Sequence, residues 1–379
     1  MICISADCVV FCSSMVKTYQ QMSFSYYDVS RRTAKNVFYT QINQVINWQP
    51  IESEINTHYQ PGKNAVGQSA YPGLLLFKML LVGYWSGSIS DRAVEEMANE
   101  NLSVMRFLGL RLEDSVPDHS CLSRFRTQLV EKGVFDTIMT LINKQLDTYG
   151  VLVKTGVKID ATITDSPRKP KGKTTYLIAE DRKEDELEAD QIDKQDTQIK
   201  LLKVVQPGVD TDGRWVKKAG KLRYGFKKHI ATDDQGLVLS VTTTAANVHD
   251  SKEFKPLIEK AAIGQGSRVL ADKAYKSKEH DQYLKDKKIK NGVHYKAVRG
   301  KKLTERQTEF NRLVSKTRYT VERTFGSKVR WFRAGTARYV GLAKTHGQHV
   351  VESIAYNLKR LPTLLKNVEV VQKKALMAG

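Results

Sequence analysis

The sequence has few cysteines, and their positions do not suit a disulfide framework. Only four occur in 379 residues, and Cys3, Cys8 and Cys12 fall within the first twelve positions, which leaves Cys121 alone. A fold that disulfides stabilise needs cysteines spread along the chain. The clustered cysteines also lack a nearby fourth ligand for zinc. We therefore expect a protein of the reducing cytoplasm.

Long hydrophobic runs are missing as well. The most apolar stretch, Ala70–Trp85, is shorter than the roughly 20 residues that span a bilayer, and Lys78 stands in its middle. The N-terminus has no basic segment followed by an apolar segment of the length that a secretory signal has. The sequence predicts neither membrane insertion nor export.

Acidic residues are scarce in one part of the chain only. Residues 1–150 hold 13 basic and 14 acidic side chains, whereas residues 151–379 hold 48 basic and 27 acidic ones. The net charge of +20 therefore comes from the C-terminal part alone. A field of this sign favours a polyanionic partner, with nucleic acid first and an anionic membrane surface second.

Periodicity divides the chain into an all-helical part and a mixed α/β part. The first part contains a long helical pattern, Ser120–Leu146. In the second part, Val151–Thr164 is typical of a strand, and Leu222–Thr232 and Gly236–Thr244 are typical of a hairpin. The predicted divisions are a disordered segment or misassigned start (1–27), a helical domain (28–149), an α/β domain (150–365) with an acidic insertion near 176–204, and a C-terminal tail (366–379).

Three acidic residues stand apart from the surface charge. Asp160 and Asp272 each follow an apolar strand segment, and Glu322 lies in a basic helical segment with few other acids. Each has an ordinary explanation alone: a strand-end Asp forms caps or turns, and Glu322 is one i,i+4 step from Arg318. Together they predict converging carboxylates, which repel one another unless a cation such as Mg²⁺ or Mn²⁺ neutralises them.

Eight stretches carry a resemblance to a known family. In this order along the chain, they resemble bacterial insertion-sequence transposases of the Asp-Asp-Glu class, close to the insertion-sequence-five family. The stretches are FKMLLVGYWSGSISDRAVEEM (77–97), FLGL with VPDHSCLSRFR (107–126), KIDATITDSP (158–167), YGFKKHIATD (224–233), TTAANVHDS (243–251), VLADKAY (269–275), RYTVERTFGSKVRWF (318–332) and IAYNLKRL (354–361).

The resemblance implies a fold and a site. It implies a ribonuclease-H-like α/β catalytic domain preceded by an all-α N-terminal domain. It implies that Asp160, Asp272 and Glu322 bind two Mg²⁺ (or Mn²⁺) ions, which activate water and then the freed 3′-hydroxyl for attack at phosphorus. The family's basic residues near Glu322 correspond to Arg318, Arg323 and either Lys328 or Arg330; the sequence leaves open which of the last two faces DNA.

Basic residues near the hairpin have two interpretations. Lys227 and Lys228 could contact phosphate beside the scissile bond, or they could lie on a solvated strand face. His249 precedes a helix, where capping is a better explanation than a role as general base.

Two arginines of the helical part are candidates for recognising the ends of the element. Arg124 and Arg126 open a long predicted helix. They could contact DNA, or they could pair within the protein with Glu113 or Asp118.

The sequence therefore predicts a DNA transposase that cuts insertion-sequence ends and transfers the strand into target DNA. The expected partners are the terminal inverted repeats and target DNA, bound by a homodimer or larger assembly in the cytoplasm. Two alternatives stay open. One is a metal-dependent nuclease on the same fold without strand transfer, and the other is a catalytically silent DNA-binding regulator, which would gain nothing from converging carboxylates.

Overall fold

The computed structural model describes residues 37–59, 70–172, 176–179, 200–203, 207–297, 300 and 302–378. The predicted N-terminal segment 1–27 and most of the acidic insertion lie outside these residues. Within them, no helix combines the length and the apolarity that crossing a bilayer requires.

Seven helices form the N-terminal part of the described chain, and side-chain caps begin several of them. Ser90, Asn101 and Asp118 each accept a hydrogen bond from a backbone N–H of the following turn. The single helix predicted from Ser120 to Leu146 was wrong, because Gly133 adopts a left-handed φ of 66° and separates two helices. The helices are α1 (Val37–Val45), α2 (Gln49–His58), α3 (Gly73–Trp85), α4 (Asp91–Glu100), α5 (Leu102–Leu108), α6 (His119–Glu131) and α7 (Val134–Thr148).

The described strands follow the helical part. They are β1 (Gly156–Asp165), β2 (Tyr176–Ala179), β3 (Lys200–Lys203), β4 (Arg214–Lys218), β5 (Lys221–Thr232), β6 (Val238–Ala245), β7 (Arg268–Ala271) and β8 (Lys290–Val293). Six of them form one mixed sheet in the order β4–β5–β1–β7–β8, with β6 also paired with β5. β5 is antiparallel to β1, β4 and β6, whereas β7 is parallel to both β1 and β8. β2 and β3 form a separate antiparallel pair.

Some strand boundaries differ from the predicted ones. The predicted hairpin is confirmed as β5 and β6, but β1 begins at Gly156 instead of Val151. β4 was not predicted, because RWVKK is short, highly charged and poor in the apolar alternation that marks a half-buried strand.

Four further helices complete the described chain: α8 (Phe254–Lys260), α9 (Lys278–Asp286), α10 (Glu305–Phe332) and α11 (Leu342–Ala378). A capping box of Thr304 and Gln307 begins α10, and Arg333, with a left-handed φ of 52°, ends it. Helix α11 continues through Pro362 to Ala378, so the predicted tail from residue 366 is part of that helix.

Helix α11 joins the two parts of the molecule into one core. Residues 349–358 are all buried, and α11 lies between the sheet and the N-terminal helices. The indole of Trp85 in α3 donates a hydrogen bond to the carbonyl of Ala355 (2.9 Å). Asn357 donates to Asn143 of α7 (3.0 Å) and to the carbonyl of Val238 at the start of β6 (2.8 Å). These contacts fix the sheet, and therefore the carboxyl ends of its parallel strands, relative to the helical part.

Candidate active site

Two aspartates meet where the parallel strands end. The parallel pairing of β1 with β7 runs from Gly156 opposite Arg268 to Ile159 opposite Ala271. Asp160, inside β1, and Asp272, the first residue after β7, come next, so they lie side by side where the parallel pairing stops. The two aspartates are adjacent as predicted, but Asp160 does not end its strand, because β1 continues to Asp165.

Arg318 of α10 connects the two carboxyl groups. Its Nη2 lies 3.1 Å from Oδ2 of Asp160, and its Nη1 lies 3.7 Å from Oδ1 of Asp272. The Arg318 side chain is 16% exposed, and its Nε is buried without a hydrogen-bond partner among the described residues. One guanidinium therefore faces both acids and keeps one donor unused.

The surroundings of Asp160 oppose its ionisation. Burial raises the pKa of Asp160, while the charge of Arg318 and the backbone N–H of Ala161 lower it. That N–H donates to Oδ1 of Asp160 at 2.9 Å. On the neighbouring strand, the N–H of Lys273 donates to Oδ1 of Asp272 at 2.7 Å, which orients the second carboxylate.

Two residues beside the aspartates were missed by sequence reasoning. Nδ1 of His294 lies 3.5 Å from Oδ1 of Asp272, and His294 directly follows β8 as Asp272 follows β7. That shared strand-end position was the available signal. Tyr275 is 1% exposed, and its hydroxyl has no hydrogen-bond partner in the described chain. Burial and the charges of Asp250, Asp160 and Asp272 raise the pKa of Tyr275, which keeps its phenol protonated.

Glu322 lies one helical turn beyond Arg318 and is exposed. Among the described residues, no three His, Cys, Asp or Glu side chains are gathered closely enough to hold a metal ion. The structure thus brings Asp160 and Asp272 together and does not assemble Glu322 with them into a closed set. The other two acids of α10, Glu305 and Glu309, lie near its start, about 14 Å or more of helix away from Arg318.

The donor chemistry fits a divalent cation. Asp160 and Asp272 supply hard oxygen ligands, and both already face a single positive group. Both side chains are partly accessible, with exposures of 22% and 39%. A cation reaching this edge would meet two carboxylates whose mutual repulsion it relieves.

Comparison with known proteins decides the family. Residues 155–358, slightly more than half of the chain, match the family described as "Transposase DDE domain", and residues 27–128 match "Transposase domain (DUF772)". The chain belongs to the DDE transposases. This transposase is 36% identical over 238 residues to the transposase for insertion sequence element IS1106 of Neisseria meningitidis serogroup B, covering 62% of this chain and 75% of that relative. The resemblance to bacterial insertion-sequence transposases is confirmed, whereas membership of the insertion-sequence-five family stays a prediction.

Solved structures of transposase complexes are more distant from this transposase. The synaptic complex of piggyBac transposase with hairpin DNA is 11% identical with a TM-score of 0.37, over 89% of this chain and 76% of that one. The Mos1 strand transfer complex is 10% identical with a TM-score of 0.19, over 74% and 84%. DDE transposase domains use divalent metal ions and act by phosphoryl transfer.

Two lysines expected at the DNA surface of the transposase are instead buried. Lys228 and Lys328 are each 1% exposed. Nζ of Lys228 lies 2.5 Å from Oε2 of the buried Glu352, and Nζ of Lys328 donates to Oγ of Ser353 at 2.6 Å. Burial lowers the pKa of Lys328 far below its usual range. Their predicted DNA contacts do not fit this structure, because helix α11 covers both ammonium groups.

Arg126 and Lys227 of the transposase are also engaged within the protein. Arg126, 7% exposed, pairs with Asp91 at 2.7 Å instead of with the predicted Glu113 or Asp118. Its guanidinium lies 4.5 Å from the ring centroid of Tyr339. Lys227 pairs with Asp250 at 2.8 Å. A DNA contact by either residue would compete with these partners.

Three predicted contact residues of the transposase are exposed. Arg323 donates to the carbonyl of Gln235 at 2.9 Å, Arg124 contacts Sγ of Cys121 at 3.3 Å, and Arg330 projects from α10. Of Lys328 and Arg330, only Arg330 can therefore reach DNA in this arrangement. His249 caps the turn that leads into α8, where its Nδ1 accepts a hydrogen bond from the N–H of Ser251 (3.3 Å). The capping interpretation of His249 is confirmed.

Proposed function

We propose that this transposase cuts DNA at the ends of its insertion sequence and joins them to target DNA, with Asp160, Asp272 and Glu322 as its catalytic carboxylates. In the cutting step, water attacks phosphorus and the 3′ oxygen of the element's strand leaves as a hydroxyl. In the joining step, that 3′-hydroxyl attacks a target phosphodiester, one P–O bond forms, and the target's own 3′ oxygen leaves.

The shared guanidinium carries this proposal. Arg318 contacts both Asp160 and Asp272, so the two carboxylates face one cationic position at the edge of the sheet. A purely structural ion pair needs one acid, whereas a second acid beside it adds repulsion. An excess of carboxylates at an accessible edge is the arrangement that a divalent cation stabilises.

We propose two Mg²⁺ ions, or Mn²⁺, as the metals. Asp160 and Asp272 would hold them together with Glu322, whose position on the exposed surface of α10 leaves its carboxylate free to turn toward the strand ends. When bound, the ions would lower the pKa of the attacking water or hydroxyl and neutralise charge on the phosphate.

The chain's own residues also have roles around the phosphate. The Nε–H of Arg318 is buried and unused, so a non-bridging phosphate oxygen would instead accept from the Nη groups of this partly exposed side chain. The buried hydroxyl of Tyr275, which stays protonated, is a second unused donor close to the same carboxylates. We propose that Arg318 orients the DNA strand and that Tyr275 limits the water that reaches the site.

We also propose a fold class for the catalytic part, a DNA-end-binding role for the helical part and an assembly of several copies on DNA. A ribonuclease-H-like fold is supported by the sheet, in which three antiparallel strands, β6, β5 and β1, continue into the parallel strands β7 and β8. We propose that residues 28–149 bind the terminal inverted repeats, supported by the exposed Arg124 near the start of α6. Two ends must be joined together, which favours a dimer or larger assembly on DNA.

A cleavage and joining assay tests the proposal. An end-bearing duplex with a labelled strand is incubated with Mg²⁺ and with wild-type protein, Asp160→Asn, Asp272→Asn or Asp286→Asn. The last variant is the matched control, since Asp286 is an exposed carboxylate at the end of α9. We expect cutting and joining by wild type and control only. Cutting without joining would identify a nuclease, and binding without cutting would identify a regulator.

A further inference from the structure

A two-stranded ribbon extends from the sheet next to the aspartates. Its residues, 214–223, form β4 and the first part of β5, and we call it the basic ribbon. β1 pairs with β5 only from Asp165 opposite Gly225 onward, and β6 pairs with β5 only from Phe226 onward. The ribbon therefore begins where β1, the strand of Asp160, ends.

The basic ribbon carries five basic residues and no acidic one. Arg223 pairs with Asp165 at 2.6 Å, and Arg214 donates to the carbonyl of Gly213 at 2.8 Å. The side chains of the remaining three make neither an ion pair nor a hydrogen bond in the described part of the chain, and all three residues are exposed: Lys217, Lys218 and Lys221.

The arrangement of these lysines has an energetic cost. Lys218 lies directly opposite Lys221 across the ribbon, and like charges in directly opposed positions destabilise a strand pair. Neither ammonium group has an ion-pair partner among the described residues. A bound polyanion would offset the repulsion between them, which makes the ribbon complementary to a phosphate backbone.

One face of the ribbon holds an aromatic ring in place. Trp215 lies opposite Tyr224, and their ring centroids are 5.1 Å apart. The hydroxyl of Tyr224 donates to the carbonyl of Asp210 at 2.6 Å, which anchors the pair. The indole stays 40% exposed, and Leu222 beside it is 63% exposed. Lys217 lies on the same face as Trp215, whereas Lys218 and Lys221 lie on the other face. Lysines beside an exposed aromatic ring can contact both phosphates and bases.

The base of the ribbon packs closely against the end of β1. At Gly225, with φ 148°, a Cβ atom would lie 2.3 Å from the carbonyl oxygen of Thr164, so this close approach requires glycine. Arg223 reaches back along β1 to the carbonyl of Ile163, at 3.4 Å. The charge of Lys218 also lowers the pKa of Asp160, which places the ribbon tip within electrostatic reach of that carboxyl group.

We propose that the basic ribbon clamps the DNA strand beside the scissile phosphate, with Lys217, Lys218 and Lys221 on the phosphates and Trp215 against a base or deoxyribose. This inference rests on the proposed function, because it takes the edge that holds Asp160 as the place of cutting. It assigns the clamp to a segment that lies outside the three catalytic carboxylates.

The test compares two triple variants of the full-length protein. One is Lys217→Gln, Lys218→Gln and Lys221→Gln. The matched control is Lys285→Gln, Lys287→Gln and Lys290→Gln, three exposed lysines near the opposite, amino end of β8. Binding to an end-bearing duplex is measured with Ca²⁺ at several salt concentrations, and hydroxyl-radical footprints are recorded around the cleavage position.

We expect the ribbon variant to bind at least about tenfold more weakly and to lower the salt slope by about 2 to 3, since each lost phosphate contact removes about 0.9. Its footprint should shrink next to the cleavage position, whereas the control should keep the wild-type footprint. Trp215→Ala should weaken binding without changing the salt slope, because it removes no charge.

Equal slopes and footprints for the two triple variants would overturn the clamp. That result would leave the proposed function intact if wild type still cut the same duplex. Failure of wild type to cut in Mg²⁺ would count against the proposed function, while the footprints would still report on the ribbon.

Discussion

Two clusters of acidic and basic side chains in this transposase are built with opposite proportions. At the carboxyl edge of the sheet, Asp160 and Asp272 share one cation, the guanidinium of Arg318. Under helix α11, Lys228 and Lys328 lie beside the single acid Glu352. The first cluster is partly exposed, while the side chains of the second are 0–1% exposed. The first, which we call the open cluster (Asp160, Asp272 and Arg318), can exchange its cation for another. The second, which we call the closed cluster (Lys228, Lys328 and Glu352), is shielded from solvent.

The difference shows what burial does to charged groups. In the closed cluster, Nε2 of Gln348 donates to the second oxygen of Glu352 at 2.8 Å, and Lys228 also donates to the carbonyl of Ala334 at 3.3 Å. Such a network holds α11 against β5, and no ligand can reach it. Basic residues near the centre of a DNA-binding enzyme therefore need not contact DNA.

The largest effect should come from the open cluster. Asp160→Asn or Asp272→Asn removes half of its negative charge, so we expect DNA cleavage to fall by about 10³-fold or more. Thermal unfolding should stay near wild type, because burial opposes the charged form of Asp160 in the fold. Strand cleavage with Mg²⁺ and a melting curve measure the two parts. A variant that melts early and also fails to cut would make these aspartates structural.

The closed cluster should respond in stability and not in catalysis. Lys228→Met leaves Glu352 buried without its partner, so we expect a loss of about 3–5 kcal/mol in the free energy of unfolding. Lys328→Met should not lower that free energy, because it removes an amine whose charged form burial disfavours. Urea unfolding measures both. Weaker DNA binding by folded Lys328→Met would instead support the predicted contact between Lys328 and DNA.

The next prediction asks whether Glu322 acts as a metal ligand together with the open cluster. Glu322→Gln keeps the helix and removes one ligand charge, so we expect cleavage to fall by roughly 10²-fold while Ca²⁺-supported DNA binding persists. Glu309→Gln is the control, since Glu309 pairs with Arg312 at 2.6 Å three residues further along the same helix. If Glu322→Gln cleaved as fast as the Glu309→Gln control, Glu322 would be excluded as a ligand.

The smallest effect should be a pH dependence of stability. The folded state holds the pKa of Lys328 below its unfolded value of about 10.5. Between those two values the unfolded chain binds more protons, so stability rises with pH, by at most about 1.4 kcal/mol per pH unit. Lys328→Met should remove this rise, which urea unfolding between pH 7 and pH 9 would show. Parallel pH profiles for both proteins would contradict it.

The sequence predicted the open cluster better than the closed one. Asp160 and Asp272 interrupt apolar strands, and parallel strands end at a common edge, so local pattern was enough to place them together. Arg318 was predicted as a helix partner of Glu322, but its acid contacts are Asp160 and Asp272, more than forty residues away. An i,i+4 spacing describes which partners are near within a helix and not which partners tertiary structure brings closer.

The sequence did not predict the closed cluster or the basic ribbon, for two different reasons. Lys228 sits in an alternating strand, and its partner Glu352 is 124 residues away, so only the fold reveals the pair. The ribbon strand Arg214–Lys218 carries three charges in five residues and lacks the apolar alternation that identifies strands. In both cases the role of a charged side chain depends on whether the fold buries it or leaves it exposed.

Direct measurement of metal binding can show whether the open cluster binds divalent cations and the closed cluster does not. Mn²⁺ is titrated into the full-length protein bound to an end-bearing duplex, and free Mn²⁺ is followed by its electron paramagnetic resonance signal. We expect two bound ions in wild type and in folded Lys328→Met, and loss of at least one ion in both Asp160→Asn and Asp272→Asn. Unchanged Mn²⁺ binding by the two aspartate variants would contradict this expectation.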